Sequence, residues 1–220
     1  KNGQIILMGG DVGEVSVSGT LDASGYDEGE TGGTVHVLGE LLSFNGSGLI
    51  DVSGDLGGGE LLFGGDFQGQ GSVPNATDVY VGSGTQTFAD AVTSGNGGKV
   101  IFWADRRMFF YGIVKGRGGK YFGDGGLVEV SGKEELYFDG WVDTTAPKGK
   151  TGTLLLDPDS ITIVDKSSAT KTDEDAFTSG ATTFTTNTGS SVSAATITED
   201  RLEALSSTTN IELLATSSIS

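Results

Sequence analysis

Three aspartates hold one position of a recurring pattern: Asp22 in Gly19-Thr-Leu-Asp-Ala-Ser-Gly25, Asp51 in Gly48-Leu-Ile-Asp-Val-Ser-Gly54 and Asp143 in Gly140-Trp-Val-Asp-Thr-Thr-Ala146. Carboxylates converging in a groove can hydrolyse a glycosidic bond, one protonating the leaving oxygen while the other attacks or activates water. Stacked carboxylates can also take up calcium. Lys115, in Gly112-Ile-Val-Lys-Gly-Arg-Gly118, holds the same position and interrupts the row. The calcium nonapeptide G-G-x-G-x-D-x-U-x is absent. The reading adopted is a solvated corner where each Asp bonds its own turn, with no catalytic, cofactor or metal role. His36 is the single histidine and there is no cysteine. In Val35-His-Val37, strand alternation turns His36 away from both valines and into solvent. No nucleophile elbow accompanies it.

Aromatic residues give a sharper signal. Ten of the 18 lie between Phe102 and Trp141, and Phe109-Phe-Tyr111, Tyr121-Phe122 and Tyr137-Phe138 with Trp141 recur about one unit apart. Adjacent strand residues face opposite ways, so Phe109, Phe110 and Tyr111 cannot all point inward. An outward ring lies near Arg106, Arg107, Lys115 and Arg117. The candidate binding surface is therefore Arg106, Arg107, Phe109, Tyr111, Arg117 and Trp141, suited to glycans or to lateral packing against another shaft.

The elements that must position these residues are marked by glycine. Gly3, Gly33, Gly59, Gly98, Gly126 and Gly152 each open into a short apolar run, most from a Gly-Gly doublet. A second landmark follows 14 to 16 residues on, at Gly19, Gly48, Gly112 and Gly140. In the unit that starts at Gly59 the equivalent is Gly84, which implies an insertion of about ten residues within 64–75. Such units cannot bury an apolar face alone; stacked as parallel strands they bury a continuous interior. The predicted fold is all-β, a right-handed parallel β-helix (solenoid) with Gly-rich corners. Residues 1–164 form its coils, 165–191 a Ser/Thr-rich excursion, and 192–220 a resumed coil. Ala195-Thr-Ile197 reads as a strand. Thr198 is placed to cap a short helix over Glu199–Leu205, and Asn210-Ile-Glu-Leu-Leu214 reads as the next coil strand.

Composition sets the limits. Glycine is 38 of 220 residues, far above the usual ~7%, while proline is 3, which removes collagen and Pro-rich linkers. The net charge is −17, and no Lys or Arg occurs from Asn2 to Gly98. Such a chain repels nucleic acid. No apolar run approaches ~20 residues, so no membrane-spanning helix is expected. Lys1 is followed by no signal-peptide pattern, and both ends read as cut from a longer chain.

Gly97-Gly-Lys-Val-Ile-Phe-Trp-Ala-Asp105, Phe110-Tyr-Gly-Ile-Val-Lys-Gly-Arg-Gly-Gly119, Gly123-Asp-Gly-Gly-Leu-Val-Glu-Val-Ser-Gly132 and Gly152-Thr-Leu-Leu-Leu-Asp-Pro158 resemble the shaft of filamentous-haemagglutinin-type exoproteins, the passengers of two-partner secretion. The likeness covers most of residues 3–165. It implies a secreted or cell-surface, non-enzymatic adhesin outside the outer membrane. Its partners would be a host or neighbouring-cell surface or glycans, other copies end to end or laterally, and an outer-membrane transporter. The alternatives are a subunit of an extracellular filament or sheath, and a polysaccharide-acting β-helix enzyme.

Overall fold

The computed structural model describes residues 3–10, 12–165 and 195–220. Strands dominate, all pairings between them are parallel, and they form three sheets. Sheet A holds β1 (Gln4–Met8), β4 (Thr34–Leu38), β7 (Glu60–Phe63), β10 (Lys99–Ala104), β13 (Leu127–Gly132), β16 (Thr153–Leu156) and β19 (Asn210–Leu213), in that order. Sheet B runs β2 (Glu14–Val17), β5 (Leu41–Phe44), β8 (Asp78–Val81), β11 (Arg107–Phe110), β14 (Glu135–Phe138), β18 (Ala195–Thr198), β17 (Ser160–Val164) and β20 (Ser218–Ile219). Sheet C contains β3 (Thr20–Asp22), β6 (Leu49–Asp51), β9 (Gln86–Phe88), β12 (Ile113–Lys115) and β15 (Trp141–Asp143). Each of the first five repeats thus gives one strand to each sheet. No helix among the described residues is long and apolar enough to cross a membrane.

Glycine doublets are required where one repeat lies on the next. A Cβ on Gly33, Gly59, Gly98, Gly126 or Gly152 would stand 1.9 to 2.3 Å from a carbonyl oxygen of the preceding repeat. None of the five has a positive φ, so the constraint is space and not torsion. Each also donates its N–H back to the preceding repeat, to the residue just past its sheet C strand. Gly59 bonds Val52 O at 2.7 Å and Gly126 bonds Gly116 O at 2.7 Å. The register places Thr85, not Gly84, opposite Gly48, since Gln86 pairs with Leu49. Thr85 is buried and its hydroxyl donates to Gly82 O, so a polar residue fills a glycine position by bonding its own turn.

Alternation sorts the faces. Val35, Val37, Leu61, Phe63, Val100, Phe102, Val128 and Val130 of sheet A point inward and join one apolar core. Equivalent positions stack, and a Phe file runs through the interior. Centroids are 6.0 Å apart from Phe44 to Phe63, 5.4 Å to Phe102, 5.1 Å to Phe110 and 5.5 Å to Phe138. Each fully buried ring contributes about 2–3 kcal/mol through removal from water.

The sixth repeat departs from the pattern. β18 inserts between β14 and β17, although β17 precedes it in the chain. The Ser/Thr-rich stretch expected over 165–191 lies, beyond Asp165, outside the described residues. Helix α1 (Glu199–Leu205) follows β18, with Thr198 at its N-cap position but making no side-chain capping bond. Acids at Glu199 and Asp200 suit the first turn. After α1 the chain meets the open edge of sheet C: Thr144 N–H donates to Thr208 O at 2.9 Å, and the Thr208 hydroxyl to Val142 O at 2.8 Å. β19 then continues sheet A beside β16.

Candidate functional site

The outer face of sheet A carries the densest chemistry. His36, Leu62, Ile101, Glu129 and Leu155 stand in one register row across β4, β7, β10, β13 and β16. The insertion after β7 folds over this row through a 3₁₀ turn at Phe67–Gly69. Phe67 and Val73 from the insertion pack on Leu62, Ile101 and Trp103, which form a second apolar cluster outside the main core. Trp103 lies so close to Gly69 that a Cβ there would be 2.4 Å from the indole. The indole N–H donates to Asp105 at 2.9 Å, and Asn75 ties the same carboxylate to the insertion at 3.0 Å.

Under this cover Glu129 is 0% exposed. Its carboxyl oxygens accept the Gln68 backbone N–H at 2.9 and 3.2 Å. Gln68 is the only non-glycine residue with positive φ, 55°, among the described residues. Its side-chain amide donates to Asp157 at 2.9 Å, so Gln68 bridges the two acids. Burial pushes the Glu129 carboxyl up to about 7; the Gln68 N–H and the Ser131 hydroxyl oppose the rise and the Asp157 charge adds to it. With the insertion docked, solvent does not reach this carboxylate.

A charged string borders the cluster. Lys99 Nζ meets Asp66 at 2.6 Å and Glu60 at 3.3 Å, and Glu60 meets His36 at 3.3 Å. Burial works against the Asp66 carboxylate, but Lys99 and the Phe67 N–H hold it below the usual range. His36 does turn outward, as alternation requires. It does not reach open solvent as expected, because its side chain, beside Glu60, is only 16% exposed. Among the described residues no three ligating side chains are grouped to hold a metal.

The three aspartates do share one register row, but Phe88 as well as Lys115 interrupts it: Asp22, Asp51, Phe88, Lys115 and Asp143 stand in that order. Each aspartate bonds its own turn. Asp22 accepts from Ser24 N–H at 2.9 Å, Asp51 from Ser53 N–H at 2.9 Å and Asp143 from Thr145 N–H at 3.0 Å. Lys115 Nζ sits 5.1 Å over the Phe88 ring. Asp143→Ala is expected to cost about 1 kcal/mol in urea denaturation, the value of one turn bond.

The six aromatic and basic candidates fall on two sheets. Arg107 and Phe109 lie on β11 of sheet B, with Arg106 and Tyr111 at its two ends; Arg117 follows β12 and Trp141 opens β15, both in sheet C. All three guanidiniums are paired. Arg106 and Arg107 share buried Asp78, with Arg107 bidentate at 2.9 and 3.0 Å, and Arg117 pairs with Asp90 at 2.7 Å. Phe110 points inward, while Phe109 stacks on Tyr137 outside at 4.8 Å. Tyr80 and Tyr111 stand 6.1 Å apart beside them. Tyr121 and Phe122 do not share that frame. Tyr137 and Phe138 pair with Phe109 and Phe110, and Tyr121–Phe122 sits in the turn after sheet C. The sequence reading missed Glu129 and Gln68. Val128-Glu-Val130 looks like any outward polar position, and its cover comes from a segment 61 residues earlier. A scan of family models and a search of curated proteins both return no match for this chain.

Proposed function

We propose that the chain is part of a right-handed parallel β-helix shaft in a large secreted or surface-exposed exoprotein of the filamentous-haemagglutinin type. Its role is attachment through repeated surface contact on a stiff support, and not turnover. One observation carries this reading: five successive repeats each add one parallel strand to each of three sheets, in register. Stacking at ~4.8 Å per repeat makes an extended body whose outer side chains recur in files. The likeness of Gly97–Asp105, Gly123–Gly132 and Gly152–Pro158 to such shafts supports the same reading. Host or neighbouring-cell surfaces and their glycans are the proposed partners, with export through an outer-membrane transporter.

The test is binding of the purified chain to intact cells and to a glycan array. Saturable binding is expected, weakened by Tyr111→Ala with Trp141→Ala, without product release from acidic polysaccharides. Released product would replace this reading with the polysaccharide-acting enzyme. End-to-end polymers in electron micrographs that bind no cell or glycan would replace it with a filament subunit.

A further inference from the structure

The turns that follow the sheet C strands stack into one edge of the molecule, made of residues 26–30, 55–57, 92–96, 120–124 and 146–150. Bonds lock each turn to the next. Asp55 N–H donates to Gly25 O at 2.8 Å, Thr93 N–H to Asp55 O at 2.9 Å, Tyr121 N–H to Thr93 O at 3.0 Å and Lys150 N–H to the Asp124 carboxylate at 2.8 Å. The edge is therefore held in place by the same ladder that holds the sheets.

Its middle is apolar and open to solvent. Leu56 is 44% exposed, Val92 47%, and Tyr121 and Phe122 63% each. Charge is sorted along the same line. The first two turns hold Asp27, Glu28, Glu30 and Asp55 and no base; the last two hold Lys120, Lys148 and Lys150 with the single acid Asp124. Asp27, Glu28, Lys148 and Lys150 are exposed, and among the described residues none of the four makes an ion pair.

An edge that is acidic at one end, apolar in the middle and basic at the other is complementary to itself turned end for end. We propose that two copies of this chain pair along the edge, antiparallel, about a two-fold axis at the third turn near Val92. The acids of the first turn then face the lysines of the fifth in both directions, and Leu56 of each copy meets Tyr121 and Phe122 of the other. A saccharide would use the rings and leave the sorted charges idle. The pairing requires only the stacked edge and holds whatever surface the chain attaches to.

Sedimentation equilibrium of the whole chain tests it. The mass is expected to rise toward twice the monomer value with concentration, and to fall back in high salt. Lys148→Glu with Lys150→Glu, and separately Asp27→Lys with Glu28→Lys, are each expected to weaken self-association by about tenfold or more. Mixed together, the two variants regain the pair, because every contact is again between opposite charges. Circular dichroism confirms that both variants fold, since all four positions are exposed. The chain has no cysteine, so Val92→Cys gives a clean geometric readout: it is expected to cross-link to itself under oxidation. A monomer at every concentration, a dimer indifferent to the charge reversals, or variants that stay apart when mixed would overturn the proposal. So would saccharide binding at Tyr121 by a chain that never dimerises.

Discussion

Gly59→Ala is expected to remove roughly 3–5 kcal/mol of folding stability, while Gly19→Ala stays within about 0.5 kcal/mol of the parent. The added Cβ on Gly59 would lie 1.9 Å from Gly33 O, 2.7 Å from Gly32 C and 2.9 Å from Gly33 N. All three are backbone atoms, so no side-chain rotation relieves the clash. The Gly33 carbonyl also accepts the Glu60 N–H at 3.0 Å, the first bond between β4 and β7. Pushing it away breaks the ladder where the two repeats join. Gly19 has nothing within 4 Å of its Cβ position and no positive φ, so alanine there meets neither constraint. Urea denaturation followed by tryptophan fluorescence separates the two. A Gly59→Ala loss below about 1 kcal/mol would mean that the repeats are not packed backbone on backbone.

Those glycines also explain why the fold was largely legible in the sequence. Doublets that exclude a side chain at 32–33, 58–59, 97–98 and 125–126, where one repeat lies on the next, leave a periodic mark along the chain. Local alternation then assigns the faces, which is why Val35 and Val37 go in and His36 goes out. The error at Gly84 has a local cause. Thr85 substitutes for glycine by bonding Gly82 O, and the nearest glycine, Gly84, stands one residue before the true equivalent. β18 is a different failure. Its place between β14 and β17 is set by pairing with strands remote in sequence, and nothing in Ala195-Thr-Ile197 encodes which neighbour it takes. The insertion was visible as excess length in the third unit. Its destination was not, because the residues that receive it, Ile101 and Glu129, belong to the fourth and fifth repeats.

The candidate surface shows the same limit. Arg106, Arg107 and Arg117 read as part of an aromatic-basic strip, and the sequence gives no sign of their partners, since Asp78 and Asp90 lie 27 to 29 residues away, one repeat back in the ladder. Asp78 is buried beneath both of its arginines, and its bidentate hydrogen bonds raise Arg107 above its ordinary pKa against the effect of burial. A guanidinium held this way braces sheet B before it meets any ligand.

Glu129 makes the stability of the chain fall as pH rises, and Glu129→Gln is expected to abolish that fall. Below the ordinary value of 4.5 the carboxyl is protonated in folded and unfolded chain alike, and its burial costs nothing extra. Between 4.5 and about 7 the unfolded chain gives up its proton while the folded chain keeps it, so each step up in pH favours unfolding. Above about 7 the buried group ionises too, and the whole loss, roughly 3 kcal/mol, is in place. The surroundings set the size. Burial is the largest cause, and Asp157 at the end of β16 adds to it. The Gln68 N–H from the insertion, the Ser131 hydroxyl on β13 and the Lys99 ammonium on β10 work the other way. Glutamine keeps an oxygen for the Gln68 N–H and never ionises. The variant should therefore match the parent near pH 4 and exceed it by about 3 kcal/mol near pH 8 in urea denaturation. Hydrogen exchange locates the effect. The Gln68 amide should lose protection in the parent between those pH values, beyond the intrinsic rate change, and keep it in the variant. Identical pH profiles for the two proteins would show that the insertion does not seal Glu129 from water.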